Sequence, residues 1–359
     1  METNSSLARD GGAERALKVG IVGYGYATAT FHAPLVRSVP GLELVALASS
    51  DAAKVRAALP QVDVCDTPQA LFARPDIDLV VIPTPNASHY PLALAALAAG
   101  KHVVVDKPFT IDVAEAADLI ARAEAGGRLL SVFHNRRWDA DFLTVRQLLA
   151  AGTLGRVTQL ESHFDRFRPQ VQTRWRESGV PGSGLWYDLG PHLLDQALQL
   201  FGAPQTITLD LMRQRDGAAT DDWFHAVLRY DNLRVILHAS ALTAQPGPRF
   251  VVHGTAGSYV KLGLDAQEDA LKAGLAPGGA QWGIDPQPGT LTMAGADGLA
   301  VRGHAGVDGD YRRYYAGVRD AILGVGANPV PAAEALQVMR WLACGQQSWR
   351  ESRAVGLAP

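Results

Sequence analysis

Residues 103–108 read VVVDKP: an apolar run ends in Asp106, Lys107 and Pro108. An acid and an amine thus stand at the mouth of a buried strand, and the proline fixes the turn behind them. A solvated strand end would account for a lysine there. So would proton transfer, if a neighbouring positive charge lowers its pKa towards neutrality, and Asp106 is placed to orient it. Residues 184–195 read GLWYDLGPHLLD, with Asp188 and His192 four apart. On a helix the two share a face. An acid beside a histidine holds its tautomer and raises its basicity, as a general base requires. The same pair could ligate a metal, but two such ligands are too few to prefer one. Lys107, Asp188 and His192 are therefore the catalytic candidates, and no metal is expected.

A second group suits a dinucleotide. In VGIVGYGYAT (19–28), Gly23, Gly25, Tyr26 and Ala27 follow an apolar strand and lead into a helix. Gly23 permits the tight turn, and Gly25 lets backbone approach a pyrophosphate at the helix N-terminus. Thr28 occupies the third fingerprint position, where Gly or Ala is usual. The second strand ends Ala48-Ser49-Ser50-Asp51. A carboxylate at its end would bind a free ribose 2′-hydroxyl; Ser49 stands there instead, with Ser50 beside it. That favours NADP, NAD remaining possible, and Asp51 is read as the cap of the next helix. In PTPNASH (83–89), Pro83 and Pro85 fix a loop that offers Thr84, Asn86 and His89 to the same region, together with Asp106 and Lys107. In HNRRW (134–138), Asn135, Arg136 and Arg137 lie where the chain crosses to its second half. Arg174, Trp175 and Arg176 fall in a loop. Asn135, Arg136, Trp175 and Arg176, with His192, could face a hydroxyl-rich substrate; an interdomain salt-bridge cluster would explain the arginines equally well.

Elements must carry these groups to one place. Strands are expected over 17–22, 42–48, 62–65, 79–83, 101–105 and 128–133. Helices are expected between them, near 28–38, 51–59, 67–73, 88–99 and 112–125. Thr67-Pro68 looks like a cap followed by a first-turn proline, and Gly100 like a helix stop. Apolar strands alternating with helices make a parallel sheet covered on both faces. Residues 17–136 therefore read as a doubly wound α/β (Rossmann) domain. Past 137 the pattern changes. A helix over 139–151 precedes longer alternating strands at 156–167, 206–215, 223–230 and 233–242. Residues 137–359 are read as an α+β domain with an open-faced, mainly antiparallel sheet. Residues 264–310 resist assignment, and helices close the chain near 311–323 and 332–350.

Composition narrows the classes. The 359 residues suggest two domains, and 47% hydrophobic with 19% charged residues suits a sizeable core. A formal charge of −3 without a basic run argues against nucleic acid and anionic membranes. Two cysteines, Cys65 and Cys344, make neither a disulfide framework nor a zinc site, which fits the cytoplasm. Residues 1–16 are polar and Gly-rich and read as a disordered tail.

Taken in order, VGIVGYGYA, TPNASH, AGKHVVVDKP and the Asp188–His192 spacing resemble the Gfo/Idh/MocA oxidoreductase family across residues 17–352. The family's Glu-Lys-Pro stands here as Asp106-Lys107-Pro108, one methylene shorter. The stretches GYGYATATFHAPL, FHNRRWDADFLTV, RWRESG, YDLGPHLLDQALQLFG and LDAQEDALKAG resemble a bacterial subgroup that contains NADP-dependent scyllo-inositol dehydrogenases. The resemblance implies hydride exchange with a cyclitol or sugar, with Lys107, Asp188 and His192 as the catalytic set and Asp188 orienting His192. It also implies a homodimer or homotetramer built through the open sheet. A sugar or aldose dehydrogenase is the alternative within the family. A non-catalytic cofactor-binding regulator is the alternative outside catalysis, although the superfamily's co-regulator does not retain the lysine.

Overall fold

The computed structural model describes residues 15–357, so nearly all of the expected N-terminal tail lies outside the described residues. The first half forms strands β1 (Leu17–Val22), β2 (Leu42–Ala48), β3 (Asp63–Cys65), β4 (Leu79–Ile82), β5 (His102–Val105) and β6 (Leu130–Val132). Helices α1 (Ala33–Ser38), α2 (Ala52–Ala58), α3 (Pro68–Phe72), α4 (His89–Ala98) and α5 (Val113–Ala125) alternate with them. Every pairing is parallel, in the order β3-β2-β1-β4-β5-β6. β4 is buried along its whole length and β5 over its last three residues, as continuous apolar runs in a sheet covered on both faces must be. Strand order reverses between β1 and β4, which opens a crevice at their carboxyl ends. Local signals hold: Thr67 accepts a hydrogen bond from the Ala70 amide at 3.1 Å, with Pro68 in the first turn. Gly100 takes a positive φ of 74° just past α4.

The second half starts with α6 (Ala140–Ala150), β7 (Val157–Asp165), α7 (Leu185–Phe201), β8 (Thr206–Met212), β9 (Trp223–Arg229) and β10 (Arg234–Ser240). It continues with β11 (Phe250–Gly254), β12 (Gly257–Lys261), α8 (Gln267–Lys272), β13 (Gly289–Gly295) and β14 (Gly298–His304), and ends with α9 (Arg312–Ile322) and α10 (Ala332–Glu351). The eight strands lie in the order β14-β13-β12-β11-β7-β10-β9-β8. All neighbours are antiparallel except β7 and β10, which run parallel. The sheet is thus wider than the four strands expected, and the unassigned 264–310 stretch supplies α8, β13 and β14. One face packs on α7 and α10; among the described residues no helix packs comparably on the other.

α7 and α10 lie close because small residues meet a large one. A Cβ on Gly345 of α10 would come within 2.7 Å of the Trp186 ring of α7, and Gly190, one turn along α7 itself, leaves that ring its room, a Cβ there meeting it at 2.8 Å. The Trp186 indole N–H donates to the Leu342 carbonyl at 3.2 Å. The last two helices also return to the parallel sheet: α9 packs on α1, and α10 on α5 and β6. Ser131 of β6 donates to the Val330 carbonyl at 3.0 Å and accepts from the Tyr314 hydroxyl at 3.0 Å. Between the halves, Arg137 makes a two-pronged contact with Asp195 of α7 (2.8 and 2.6 Å) and reaches Glu334 of α10 at 2.7 Å.

Candidate active site

Lys107 follows β5 at the carboxyl edge, where the chain turns through a cis Lys107–Pro108 peptide. Its Nζ crosses to the second half and donates to Asp188 in the first turn of α7, at 3.0 Å to Oδ1 and 2.5 Å to the main-chain carbonyl. That turn is capped from outside the helix: the Asp221 carboxylate accepts from the Trp186 amide at 2.6 Å. Asp188 also lies 3.4 Å from Arg176 Nε. Burial alone would raise its pKa, but Lys107, Arg176 and Arg166 hold the carboxyl well below the usual range. His192, one helical turn on, is buried, and its Nδ1 has no hydrogen-bond partner among the described residues. Burial, then the cations Lys107 and Arg136, push its pKa well down, so the ring is neutral near pH 7.

Two expectations about this cluster need correction. Asp188 makes no hydrogen bond with His192: its carboxylate contacts Lys107 and Arg176 instead. Asp106 does not touch the lysine's ammonium. Its Oδ1 accepts Lys107's own backbone N–H at 2.7 Å, and its Oδ2 faces the buried His32 at 3.6 Å. Burial opposes its ionisation, but His32 and Lys107 prevail and its pKa falls to about 2.

The glycine turn fits a dinucleotide. Gly23 has a φ of 86°, and a Cβ on Gly25 would meet no protein atom within 4 Å, so the backbone there is open to a ligand. Thr28, the unusual third position, is accommodated by donating its hydroxyl to the Gly23 carbonyl at 2.7 Å. Tyr26 is exposed, and with Ala27 it lines a cleft of about 520 Å³. Opposite, beyond β2, Ser49 is half-buried and Ser50 exposed. Asp51 caps α2, accepting from the Lys54 amide at 3.0 Å.

In the Pro83–His89 loop, Pro83 and Thr84 are half-buried, and the Thr84 methyl would lie 3.6 Å from a Cβ on Gly23. Asn86 is buried and donates to the Gly182 carbonyl at 2.8 Å, tying this loop to the second half. His89 is fully buried, and its two ring nitrogens lie 2.8 Å from the Pro108 and Thr84 carbonyls. It braces the two loops and presents nothing to the cleft, contrary to its expected cofactor contact.

The cleft joins Lys107, Asp188 and His192 with Asn135, Arg136 and Arg176. Arg136 is compensated within the protein: it bonds Glu268 at 2.6 Å, lies 3.4 Å from Asp139 and stacks on Phe164. Trp175 sits in a short 3-10 turn rather than an open loop. It carries the Arg176 guanidinium 4.6 Å above its ring and borders a narrower recess with Asn86, Lys107 and Pro108. Sequence reasoning missed Arg166, Arg168, Glu268 and Lys272, which also line the cleft. Arg166 continues the alternating run just past the end of β7, and Glu268 and Lys272 are four apart on α8; both signals were present. Asp188 and His192 form no metal-binding group with a third ligand among the described residues, and no described helix is long and apolar enough to cross a membrane.

Comparison with known proteins agrees with this geometry. Residues 17–134 match the model of an oxidoreductase family's NAD-binding Rossmann fold, and residues 146–357 match that family's C-terminal alpha/beta domain. The chain is 54% identical over 342 residues to Escherichia coli YdgJ, an uncharacterized oxidoreductase, covering 95% of this chain and 99% of that one. It is 38% identical over 343 residues to Bacillus subtilis IolW, a scyllo-inositol 2-dehydrogenase (NADP(+)), covering 95% and 96%. The solved structure of YPO2259 from Yersinia pestis superposes with a TM-score of 0.93 at 53% identity, covering 96% of this chain and 98% of that one.

Proposed function

The chain belongs to the Gfo/Idh/MocA oxidoreductase family, and on that premise we propose an NADP-dependent enzyme that moves a hydride between nicotinamide and a secondary alcohol of an inositol-like cyclitol or sugar. The observation that carries the reading is the Lys107–Asp188 contact, made across the two halves of the chain beside a neutral His192, at the carboxyl edge of the parallel sheet. NADP is supported by the hydroxyls of Ser49 and Ser50 where a carboxylate would repel a 2′-phosphate, and by the cofactor named for IolW. The cyclitol is supported by that relative's substrate.

The pyrophosphate would rest on the turn at Gly23–Ala27, with Thr84 beside it and Ser49 and Ser50 at the adenosine end. When bound, the nicotinamide supplies the hydride acceptor or donor. Lys107 exchanges the proton with the reacting substrate oxygen, and Asp188 sets the direction of its ammonium. His192 hydrogen-bonds that oxygen while remaining neutral, because a proton on it would stand buried between Lys107 and Arg136. Asn135, Arg176 and Trp175 hold the remaining hydroxyls. Copies pair through the open face of the second sheet into a dimer or tetramer.

The test follows nicotinamide absorbance with NADP and NAD separately, against scyllo-inositol, myo-inositol, glucose, xylose and other polyols. Turnover with NADP and an inositol is the expected result. Lys107→Met should then lower turnover by about 10²–10⁴-fold, the range of acid–base effects. Turnover with a sugar alone would replace the substrate; near-normal turnover in Lys107→Met would overturn the mechanism.

A further inference from the structure

The open face of the second sheet carries a cluster that the cleft does not use. In register, His163 of β7 stands against His238 of β10, and His238 against His225 of β9. Three imidazoles therefore form a row across three adjacent strands, with ring centroids 5.3 and 5.8 Å apart. Strand alternation brings Glu161, His163 and Asp165 to this same face, while the next residue, Arg166, lines the cleft.

Asp165 sits between two of these rings. Its Oδ2 is 3.8 Å from His163 Nδ1 and its Oδ1 is 3.4 Å from His238 Nε2. Oδ1 is buried and accepts no hydrogen bond from any described residue. On the far side of the His163 ring, Glu161 Oε2 lies 3.1 Å from Nε2. A proton shared there leaves the Nδ1 lone pair directed at Asp165. A carboxylate with one buried, unpartnered oxygen between two imidazoles is satisfied by a cation, carried either on the rings as protons or between them as a metal. The donor set answers which metal: two imidazole nitrogens and a carboxylate oxygen suit zinc and its neighbours, whereas magnesium and calcium take oxygen alone. A carboxylate behind a ligating histidine is the outer support such sites commonly have. One donor atom from each of His163, Asp165 and His238 lies within 4.8 Å of the others. Tetrahedral zinc donors sit about 3.4 Å apart, so shifts of an ångström or so would close the site.

We propose that His163, Asp165 and His238 bind a divalent transition-metal ion of the zinc class on the open sheet face, with Glu161 orienting His163. Three protein ligands leave one coordination position for water or for a group from the copy that pairs on this face. The site shares no residue with the hydride-transfer cleft.

The test uses the full-length chain without an affinity tag, stripped with a chelator and titrated with Co(II), then with Zn(II) in competition. Visible d–d absorption saturating at one equivalent per chain, and displaced by Zn(II), is the expected result. His238→Gln should weaken Co(II) binding at least 100-fold. Glu161→Gln should weaken it about 10-fold, as loss of an outer carboxylate does. His253→Gln, on the same sheet but outside the triad, should leave it unchanged. If circular dichroism shows that His238→Gln does not fold, the isosteric Asp165→Asn takes its place. Absence of saturable binding, or binding that survives in both His238→Gln and Asp165→Asn, would overturn the proposal.

Discussion

Asp188→Asn removes a charge and keeps a shape, and it tests whether this carboxylate sets the lysine. Oδ1 lies 3.0 Å from Lys107 Nζ and 3.4 Å from Arg176 Nε. With an effective dielectric of about 20, each contact carries a gross attraction of about 5 kcal/mol. Desolvation of the ions offsets most of that. The Asp188 main-chain carbonyl, at 2.5 Å, still holds the ammonium in the variant. The expected loss is then about 2–3 kcal/mol of transition-state stabilisation, or about 30- to 150-fold in kcat. Removal of the lysine itself reaches further, to about 10⁴-fold. Steady-state kinetics with the substrate found active in the absorbance assay would measure it, with the pH profile of kcat/KM recorded alongside. A carboxylate that tunes Lys107 changes the form of that profile; one that merely packs α7 lowers stability and leaves the profile alone. A kcat within about threefold of the parent, with the profile unmoved, would refute the assignment.

Ser49→Asp should swing the ratio of kcat/KM for NADP against NAD towards NAD by tenfold or more, as about 1.4 kcal/mol of repulsion at a 2′-phosphate requires; an unchanged ratio would displace Ser49 from that contact. Arg137→Met should lower unfolding free energy by about 3–5 kcal/mol in urea titrations, because it leaves the buried Asp195 carboxylate unpaired. Glu268 titrates at about 2 against an ordinary 4.5: burial works against its ionisation, but Arg136 and Lys272 outweigh burial. Its stabilising contribution, on the order of 3 kcal/mol, is therefore complete above pH 4.5 and lost as pH falls towards 2. Glu268→Gln should flatten the decline of stability across that interval in acid-unfolding curves.

The parallel sheet was readable because its strands are short apolar runs, and buried strands of this kind have few alternatives. Thr67-Pro68 and Asp51 announced helix starts through their own side chains, a local effect. The second sheet was readable only in part. β12 to β14 pass through Gly- and Pro-rich stretches, and pairings such as Val260 with Thr290 depend on partners distant in the chain. The cluster around Lys107 shows the same limit. The spacing of four between Asp188 and His192 is a helical neighbourhood, and sequence can count it. The partner Asp188 actually takes stands 81 positions earlier, in the turn after β5 of the other half. His89 offered the right residue type in the right loop, but its burial between two carbonyls depends on where the turn after β5 folds back.

The return of α9 and α10 to the parallel sheet bears on how this chain could be cut and recombined. A chimera joined near residue 136 would leave Ser131 without Val330 and Tyr314, and His32 without the Tyr315 hydroxyl that lies 2.6 Å from its Nδ1. The segment from Arg312 onward therefore serves both halves: α9 packs on α1, and α10 packs on α7 and β8 as well as on α5 and β6. Grafting a new substrate half onto this scaffold therefore has to preserve the surface that α9 and α10 share with α1, α5 and β6.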